Sequence, residues 1–275
     1  MSDVAEVLSL VALAEHAARS AGALIRRTRP DTVEVAATKT SPTDVVTASD
    51  RAAEQLLRDV LGKARPDDGV LGEEAGWEPG DSGLTWLVDP IDGTVNFLYG
   101  IPAFAVSVAV VTGRPDLPGQ WETLAGCVHD VAGGGTWTAG RGLGAFVDGR
   151  RLGERPVPDL QAALVATGFG YRAERRRAQA RVVAGLLPRV RDIRRIGCSS
   201  LDLCYVAAGH VDAYYERGLH VWDFAAAMLV ARESGVVVRG LGERPPSEDL
   251  LVAARSPLDE ALVHELTALA ADRDE

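Results

Sequence analysis

The chain has 275 residues, of which 47% are hydrophobic and 25% are charged. This supplies a sizeable core for one large domain or two closely joined halves, and it argues against a disordered chain. The 39 acidic and 29 basic residues give a net charge of -10, which disfavours tight non-specific binding to nucleic acid or to an anionic membrane. An anionic substrate would therefore need local help, such as a bound cation.

The cysteines and the first residues of the chain bear on the cellular compartment of the protein. Cys127, Cys198 and Cys204 form neither a C-x-x-C pair nor a pattern with interleaved histidines, so neither a disulfide framework nor a zinc site is predicted. Asp3 and Glu6 oppose a secretory signal, and no later stretch is long and apolar enough to span a bilayer. We expect a cytoplasmic protein without membrane contact.

The first half of the chain predicts two helices and then a run of strands. Apolar residues recur at helical spacing over residues 4–27, and Pro30 follows where a helix should stop. A polar loop with Lys39 and Asp44 leads to a second predicted helix over 49–63. Gly-rich turns separate the later β-rich runs, which suggests an antiparallel sheet. The predicted strands are 70–71, 84–88, 104–111, 124–129, 136–139 and 145–147.

The second half has an α/β layout, in which strand-like and helical segments alternate. The predicted strands are 163–167, 193–196, 211–215 and 236–238, and the predicted helices are 173–187, 199–208, 223–233 and 258–271. The proline-containing stretch 152–159 is a candidate junction. We interpret residues 1–275 as a single unit with possible halves 1–150, of α+β type, and 151–275, of α/β type.

The clearest motif is Asp-Pro-Ile-Asp-Gly-Thr at 89–94, at the end of a predicted apolar strand. Pro90 fixes its backbone φ and Gly93 tolerates unusual angles, so the acids at 89 and 92 can converge on one point. Thr94 would then open a helix whose free N–H groups suit a phosphate. A surface turn followed by a capped helix explains the same spacing.

Three weaker features each have an ordinary structural explanation. Glu73 and Glu74 follow a predicted strand, but paired glutamates are usually a solvated patch. Asp223 precedes an apolar helix and serves equally well as an N-cap. The arginines within 172–181 are typical of a solvated helix face with a possible role near an interface or an anion, and without interleaved aromatic residues they predict no nucleic-acid site.

Three motifs follow one another along the chain: Gly-Glu-Glu at 72–74, the 89–94 motif and Trp-Asp at 222–223. In this order and spacing they resemble the inositol monophosphatase family. The resemblance covers nearly the whole chain, because further segments also match the family: Lys39 with 44–50, 139–145 and 212–216. It implies a layered α-β-α-β-α sandwich of the inositol monophosphatase and fructose bisphosphatase type. It also implies a single catalytic unit that depends on Mg²⁺.

The resemblance implies two or three Mg²⁺ ions at specific residues. Glu73, Asp89 and the carbonyl of Ile91 would hold one ion, and Asp89, Asp92 and Asp223 a second, with Glu73 also near a weaker third. Hard oxygen ligands of this kind suit Mg²⁺, which binds substrate phosphate oxygens directly. Without metal the carboxylates would raise each other's proton affinity.

Further roles follow from the same resemblance. Glu73 and Thr94 would orient and activate the attacking water, and Asp50 would support the Thr94 hydroxyl. The family position of Ser199 is often alanine, and Glu216 could be an exposed acid at a strand end, so the alcohol part of the substrate stays open. The implied substrate contacts are Gly93, Thr94, Gly197, Ser199, Glu216 and Asp223.

The implied activity is hydrolysis of a small phosphate monoester by a water that the metal activates, and inositol 1-phosphate is the favoured substrate. Phosphatases of histidinol phosphate, fructose 1,6-bisphosphate and nucleoside 3′,5′-bisphosphates share the metal motif and remain alternatives. An alternative of another class is a regulatory protein that acts through a binding partner. A homodimer and sensitivity to lithium are further expectations from the family.

Overall fold

The computed structural model describes residues 4–30, 33–38 and 45–274 of the chain. Lys39 and Asp44, which belong to the family resemblance, lie outside these ranges. No helix within them combines the length and apolar character needed to cross a bilayer. The described residues form seven α-helices: α1 Val4–Thr28, α2 Ala48–Ala64, α3 Thr94–Tyr99, α4 Ala173–Leu186, α5 Ser199–Ala208, α6 Val221–Glu233 and α7 Leu258–Ala268.

The first half of the chain builds a short pair of strands and a large sheet. The pair is β1 (Ala37–Thr38) with β2 (Val45–Val46). The sheet contains β3 Gly69–Gly72, β4 Gly76–Glu78, β5 Leu84–Asp92, β6 Ala105–Gly113, β7 Trp121–Asp130, β8 Thr136–Gly140, β9 Gly144–Val147 and β10 Arg150–Arg151. Its order is β10-β9-β8-β7-β6-β5-β3-β4. Neighbours are antiparallel except β3 and β5, which are parallel.

The second half builds a five-stranded mixed sheet. Its strands are β11 Leu164–Thr167, β12 Asp192–Arg194, β13 Ala213–Glu216, β14 Val237–Arg239 and β15 Leu251–Ala254. They lie in the order β12-β11-β13-β15-β14. β11 is parallel to both of its neighbours, whereas β15 is antiparallel to both of its own. Short 3₁₀ turns at Leu160–Ala162 and Leu187–Arg189 flank this sheet.

The elements stack as five layers. α1 and α2 pack on one face of the large sheet, and α5 and α6 pack between that sheet and the five-stranded one. α4 and α7 cover the outer face of the second sheet. This is the α-β-α-β-α sandwich that the family resemblance implies. The middle core cluster joins side chains from both halves of the chain, such as Leu87 and Ala253.

The central strand β5 shows why both faces of the large sheet are apolar. Successive side chains of a strand point to opposite faces. Trp86 and Val88 accordingly pack in the core under α1 and α2, while Leu87 packs in the core with α5 and α6. A strand covered on both faces therefore reads as a continuous apolar run rather than as an alternating pattern.

The structure confirms most of the predicted elements and corrects several. The large sheet is not purely antiparallel, because β3 runs parallel to β5. The strand predicted at 193–196 ends at Arg194, and the helix predicted at 258–271 ends at Ala268. Sequence reasoning missed β1, β2, β4, β10 and β15. The first four have three residues or fewer, too short to show a periodicity.

Candidate active site

Asp89 and Asp92 are brought together by an irregularity in β5. Asp89 pairs with Ser107 of β6, whereas Asp92 pairs with Ala105, so β5 carries one extra residue at this point. An extra residue bends a strand and redirects its side chains. The Asp89 carboxylate then accepts a hydrogen bond from the Ile91 N–H at 3.0 Å, which fixes the turn.

Gly93 links this bulge to helix α3. Its φ is 93°, in the left-handed region, and a Cβ there would lie 2.9 Å from the Ala103 carbonyl oxygen. A residue with a side chain would therefore be strained here. The chain can enter α3 directly after Asp92, which places the Thr94 end of the helix beside the two acids.

Glu73 reaches the same place from β3. Because β3 is parallel to β5, with Gly72 opposite Val88, the carboxyl ends of the two strands lie at the same edge of the sheet. The Glu73 N–H donates to the Val88 carbonyl oxygen at 3.3 Å. Glu73 thus follows its strand as Asp89 follows Val88, and the two side chains share a hydrogen bond.

Asp223 comes from the first turn of α6. Its carboxylate accepts a hydrogen bond from the His220 N–H at 2.7 Å, and His220 is the N-cap residue. The interpretation of Asp223 as the N-cap itself is therefore wrong, although Asp223 does stabilise the start of the helix. The same bond holds its carboxylate at the pocket.

One cavity of about 340 Å³ collects these side chains. Residues from β5, α3, α4, α5, β13 and α6 meet there with Glu73, which follows β3 directly, so both halves of the chain contribute. Every site residue predicted from the sequence lines it except Asp50: Glu73, Asp89, Ile91, Asp92, Gly93, Thr94, Gly197, Ser199, Glu216 and Asp223. Asp50 does not line the cavity, but its Oδ1 lies 3.4 Å from the hydroxyl of Thr94, which does.

The acids strongly perturb one another. Burial, and then the charges of Glu73, Asp92 and Asp223, hold the pKa of Asp89 well above its usual range. Burial and the charges of Glu73 and Asp92 likewise raise the pKa of Asp223. Like charges at close range favour protons or a cation between them. The cluster is therefore suited to bind positive charge.

The chemistry of this donor set fits a hard divalent cation, because carboxylates and the nearby Ile91 carbonyl offer only oxygen. Within residues 4–30, 33–38 and 45–274, no three His, Cys, Asp or Glu side chains already stand in the arrangement of a ligand set. One oxygen each of Asp92 and Asp223 is engaged by protein donors. Binding a cation here requires local turning of these carboxylates.

Asp92 is held by the start of α5. Its Oδ2 accepts hydrogen bonds from the Ser200 N–H and the Ser200 hydroxyl, both at 2.6 Å. The Ser199 hydroxyl and the Cys198 thiol lie 3.2 Å from the same oxygen. Ser199, predicted as a substrate contact, is thus engaged with an acid of the site.

Asp50 and Thr94 form a second polar layer. The Thr94 hydroxyl lies 3.0 Å from the Ile91 carbonyl oxygen and 3.4 Å from Asp50 Oδ1. Asp50 also accepts hydrogen bonds from the N–H and the hydroxyl of Thr47, the residue that caps α2. Burial raises the pKa of Asp50 to about 6, so this carboxyl titrates close to neutral pH.

Glu216 ends β13 inside the cavity and is half-buried. The interpretation of Glu216 as an exposed acid at a strand end is therefore wrong. It accepts a hydrogen bond from the Tyr214 hydroxyl at 2.6 Å. Burial raises the pKa of Glu216 to about 7.

Comparison with known proteins decides the family. A sequence profile described as the inositol monophosphatase family matches residues 6–271. The chain belongs to this family. It is 43% identical to an inositol-1-monophosphatase of Mycobacterium bovis over 92% of this chain and 91% of the relative. It is 40% identical to the Nus factor SuhB of Escherichia coli K12, over 82% and 83% of the two chains.

Solved structures agree with this assignment. The extragenic suppressor protein suhB of Bartonella henselae superposes with a TM-score of 0.85 and 33% identity, over 94% of this chain and 98% of the other. Family membership makes the protein a phosphatase, a hydrolase of phosphoric monoesters, and agrees with the five-layered fold described above.

Sequence reasoning missed one acid of this inositol monophosphatase family site. Glu54 of α2 is 2% exposed, and its carboxylate accepts the N–H groups of Glu74 at 2.7 Å and Ala75 at 3.0 Å. It also pairs with Arg58. Glu54 thus holds the turn that carries Glu73. Glu54 follows Asp50 by four residues, so the two side chains lie on the same buried face of the helix. This spacing was the sequence signal from which Glu54 could have been predicted.

Proposed function

We propose that the protein hydrolyses a small phosphate monoester in a Mg²⁺-dependent reaction, with inositol 1-phosphate the favoured substrate. The observation that carries this is the convergence of Glu73, Asp89, Asp92 and Asp223 in one cavity beside the start of α3. We call these four residues the acid wall. The relative named inositol-1-monophosphatase, at 43% identity, supports the choice of substrate.

The acid wall is proposed to bind the cations. Glu73, Asp89 and the Ile91 carbonyl hold one Mg²⁺, and Asp89, Asp92 and Asp223 hold a second, with Glu73 also near a weaker third. When bound, Mg²⁺ supplies Lewis acidity and positive charge that offset the charge of a phosphate group. The pKa values of Asp89 and Asp223 are raised because nearby protein groups do not offset the negative charge of the acid wall.

Glu73 and Thr94 are proposed to handle the attacking water. When the Thr94 hydroxyl donates to Asp50 or to the Ile91 carbonyl, its oxygen lone pairs can accept a hydrogen bond from water. Glu73 accepts the proton that this water loses as its oxygen bonds to phosphorus. The bond from phosphorus to the ester oxygen breaks in the same step, and the departing alcohol oxygen takes up a proton from solvent. Asp50 keeps the hydroxyl of Thr94 oriented, and Thr47 keeps Asp50 in place.

The remaining contacts hold the substrate. The N–H groups of Gly93 and Thr94, at the start of α3, suit phosphate oxygens, because a helix start leaves such donors outside the helical ladder. Glu216, Gly197 and Ser199 line the same cavity and are proposed to contact the alcohol part of the substrate. Asp223 is proposed to contact the substrate as well as a cation.

A panel of phosphate-release assays tests this function. Inositol 1-phosphate, histidinol phosphate, fructose 1,6-bisphosphate and adenosine 3′,5′-bisphosphate are compared at equal concentration, with Mg²⁺ and with a chelator. We expect release that requires Mg²⁺ and is fastest for inositol 1-phosphate. A faster rate with another ester names a different substrate, and release unaffected by the chelator contradicts the proposed mechanism.

A regulatory role is the second candidate, favoured by the relative named Nus factor SuhB at 40% identity. It predicts that the protein retains a binding partner without turnover. Asp92→Asn protein should then capture the same partner from source-cell extract as the unchanged protein does. The absence of any shared partner removes this candidate.

We also propose a cytoplasmic homodimer that lithium inhibits. The described cysteines are free and buried, as suits a reducing compartment. Tyr99 and Ile101 expose apolar side chains at the end of α3, a surface that a second copy could cover. Light scattering gives the mass of the assembly, and an assay with added lithium chloride measures inhibition.

A further inference from the structure

Arg255 is a buried arginine that the catalytic cavity does not use. It follows β15 directly, it is 9% exposed, and it does not line the cavity of the acid wall. Burying a charged group is costly unless polar atoms satisfy it. The partners of this guanidinium group are therefore important to the elements that supply them.

The Arg255 guanidinium donates to carbonyl oxygens at the ends of two helices. Its Nη1 donates at 2.6 Å to Ser234, the C-cap residue of α6. Its Nη2 donates at 3.4 Å to Ala207 in the last turn of α5, and at 3.0 Å to Gly153 between β10 and β11. Carbonyls at a helix end have no partner within the helix and carry partial negative charge. One cation thus joins the ends of α5 and α6.

The end of α6 has room for this side chain. Gly235 follows the C-cap residue with a φ of 90°, in the left-handed region, and a Cβ there would lie 3.0 Å from Arg255 Nη1. The glycine therefore permits both the turn and the close approach of the guanidinium group. The Arg255 backbone is fixed as well, because its carbonyl accepts from the Asp259 N–H at 3.2 Å.

The opposite ends of the same two helices carry or hold acids of the acid wall. Ser200, in the first turn of α5, holds Asp92 through its N–H and its hydroxyl, and Asp223 lies in the first turn of α6. The Ser199 hydroxyl lies 3.2 Å from Asp92 Oδ2 and 3.4 Å from the Asp223 carbonyl oxygen. The two helices are therefore joined at their starts by Ser199 and at their ends by Arg255.

Stiff helices can transmit this contact to the acids. At 1.5 Å per residue, the 10 residues of α5 and the 13 of α6 place Arg255 roughly 15 to 20 Å from the helix starts. A shift of one helix along its axis moves the acid at its start relative to the other acid. Mg²⁺ requires near-ideal octahedral geometry, so a displacement of about 1 Å between two ligands should weaken a shared site.

We infer that Arg255 is a positioning residue for the metal site that Asp92 and Asp223 share. It fixes α5 and α6 against each other along their axes. It thereby sets the spacing of the two carboxylates, without touching the cation or the substrate. This inference rests on the proposed function, because it takes Asp92 and Asp223 to bind one cation together.

Arg232 provides a matched comparison in the last turn of α6. Its Nη2 also donates to a backbone carbonyl at 3.0 Å, but this carbonyl belongs to Val238 of β14. Replacing Arg232 therefore removes a cation and a hydrogen bond from the end of the same helix, and it leaves the contact between α5 and α6 intact.

Calorimetric titration of the metal-free protein with Mn²⁺ tests the inference, at a temperature well below the unfolding midpoint of every variant. Asp92→Asn identifies the binding step of the shared site, because this variant lacks one of its ligands. Arg255→Gln should weaken that step about tenfold, as the loss of a supporting contact does, and leave the other step unchanged. Arg232→Gln should change neither step.

Two further variants separate positioning from a loss of stability. In the Asp92→Asn background the shared site is already broken, so Arg255→Gln should not weaken the remaining step any further. Arg255→Lys keeps a cation at the helix ends but lacks the planar fork that reaches both helices. It should weaken the shared step by roughly threefold, and it carries the same comparisons if Arg255→Gln does not fold.

Hydrogen exchange in the metal-free protein judges the contact separately from the proposed function. Arg255→Gln should speed exchange at the two helix starts, residues 199–202 and 221–224, more than Arg232→Gln does. If the unchanged protein binds no Mn²⁺, the proposed function fails, and this comparison still decides whether Arg255 holds the helix starts.

Three results would overturn the inference. In the first, the Arg255 variants weaken both Mn²⁺ steps equally. In the second, they leave both steps at the values of Arg232→Gln. In the third, exchange at the helix starts is the same in the Arg255 and Arg232 variants.

Discussion

The acid wall shares its cavity with four arginines, and the two groups are positioned by different means. The arginines are Arg172, Arg175, Arg195 and Arg217. The acids are short side chains fixed by their own backbone, through the β5 bulge and the start of α6. The arginines are long side chains fixed by distant parts of the chain, such as Gly218 and Asp274. The positions of the acids therefore depend mainly on local backbone geometry, whereas those of the arginines depend on tertiary packing and ion pairs.

The largest expected effect comes from breaking the acid wall. Asp92→Asn removes a charge while its amide oxygen can still accept from the Ser200 N–H, so the fold should persist. We expect turnover with Mg²⁺ to fall by about 10³-fold or more, since several kcal/mol of charge stabilisation are lost. Steady-state rates and a thermal unfolding curve measure both effects.

The matched control for this variant is Asp116→Asn, which neutralises an exposed acid paired with Arg114 outside the catalytic cavity. Its turnover should equal that of the unchanged protein. Full activity in Asp92→Asn would refute the assignment of the metal ligands.

The pH dependence of Mg²⁺ binding tests the mutual repulsion within the wall. Because burial and neighbouring charges raise the pKa of Asp89 and Asp223, these groups hold protons at a pH where a free carboxyl is ionised. A cation must displace those protons, so affinity should fall as the pH falls, by up to about tenfold per unit for each proton released.

Calorimetric titration of Mg²⁺ in two buffers with different ionisation enthalpies counts the protons released. Asp92→Asn provides the comparison, because it removes one of the neighbouring charges that raise both pKa values. An apparent heat of binding that is the same in both buffers would show that no protons leave, contrary to this account.

A smaller effect is expected from the support of Glu73. Glu54→Gln replaces one of the carboxylate oxygens that accept from Glu74 and Ala75 by an amide donor, so the turn carrying Glu73 should loosen. Loss of such a supporting contact typically lowers metal affinity by about 10- to 100-fold. Quenching of tryptophan fluorescence by Mn²⁺ gives the affinity without turnover.

Glu78→Gln serves as its control, since Glu78 also lies near Arg58 but its side chain is 79% exposed. Its Mn²⁺ affinity should be unchanged. Equal affinities in the two variants would mean that Glu54 stabilises α2 without positioning Glu73.

The smallest expected effect concerns Asp92. Ser200→Ala removes one hydroxyl donor at 2.6 Å, while the Ser200 N–H still holds the same oxygen. The net worth of one hydrogen bond predicts roughly a threefold to tenfold change in Mn²⁺ affinity. Ser82→Ala, which alters an exposed turn before β5, is the control, and a change of equal size in both would contradict a role for Ser200.

The same contrast explains what the sequence could predict. The pair Asp89 and Asp92 follows from local signals, because a proline, a glycine and two acids at fixed spacing leave few backbone solutions. Glu73 and Asp223 were added to this pair only through the family resemblance. The arginines within 172–181 were interpreted as a solvated face, since the contacts of Arg175 with Gly218 and Asp274 join residues that are far apart in sequence. The alternation of strand-like and helical segments predicted α5 with its correct bounds.

Other elements lacked such a signal. β4 and β10 are held by pairing with a neighbour rather than by a pattern of their own. The start of α6 at Val221 depends on a cap from His220, a residue that rarely signals a helix start. Glu54 was overlooked because its partners, the N–H groups of Glu74 and Ala75, appear only when the chain folds.

Crystals soaked in Mn²⁺ and measured at its absorption edge give the most direct test of the acid wall. Anomalous difference peaks should appear within ligand distance of Glu73, Asp89, Asp92 and Asp223. Mn²⁺ peaks bound elsewhere, with none touching these four carboxylates in crystals of active protein, would contradict the account.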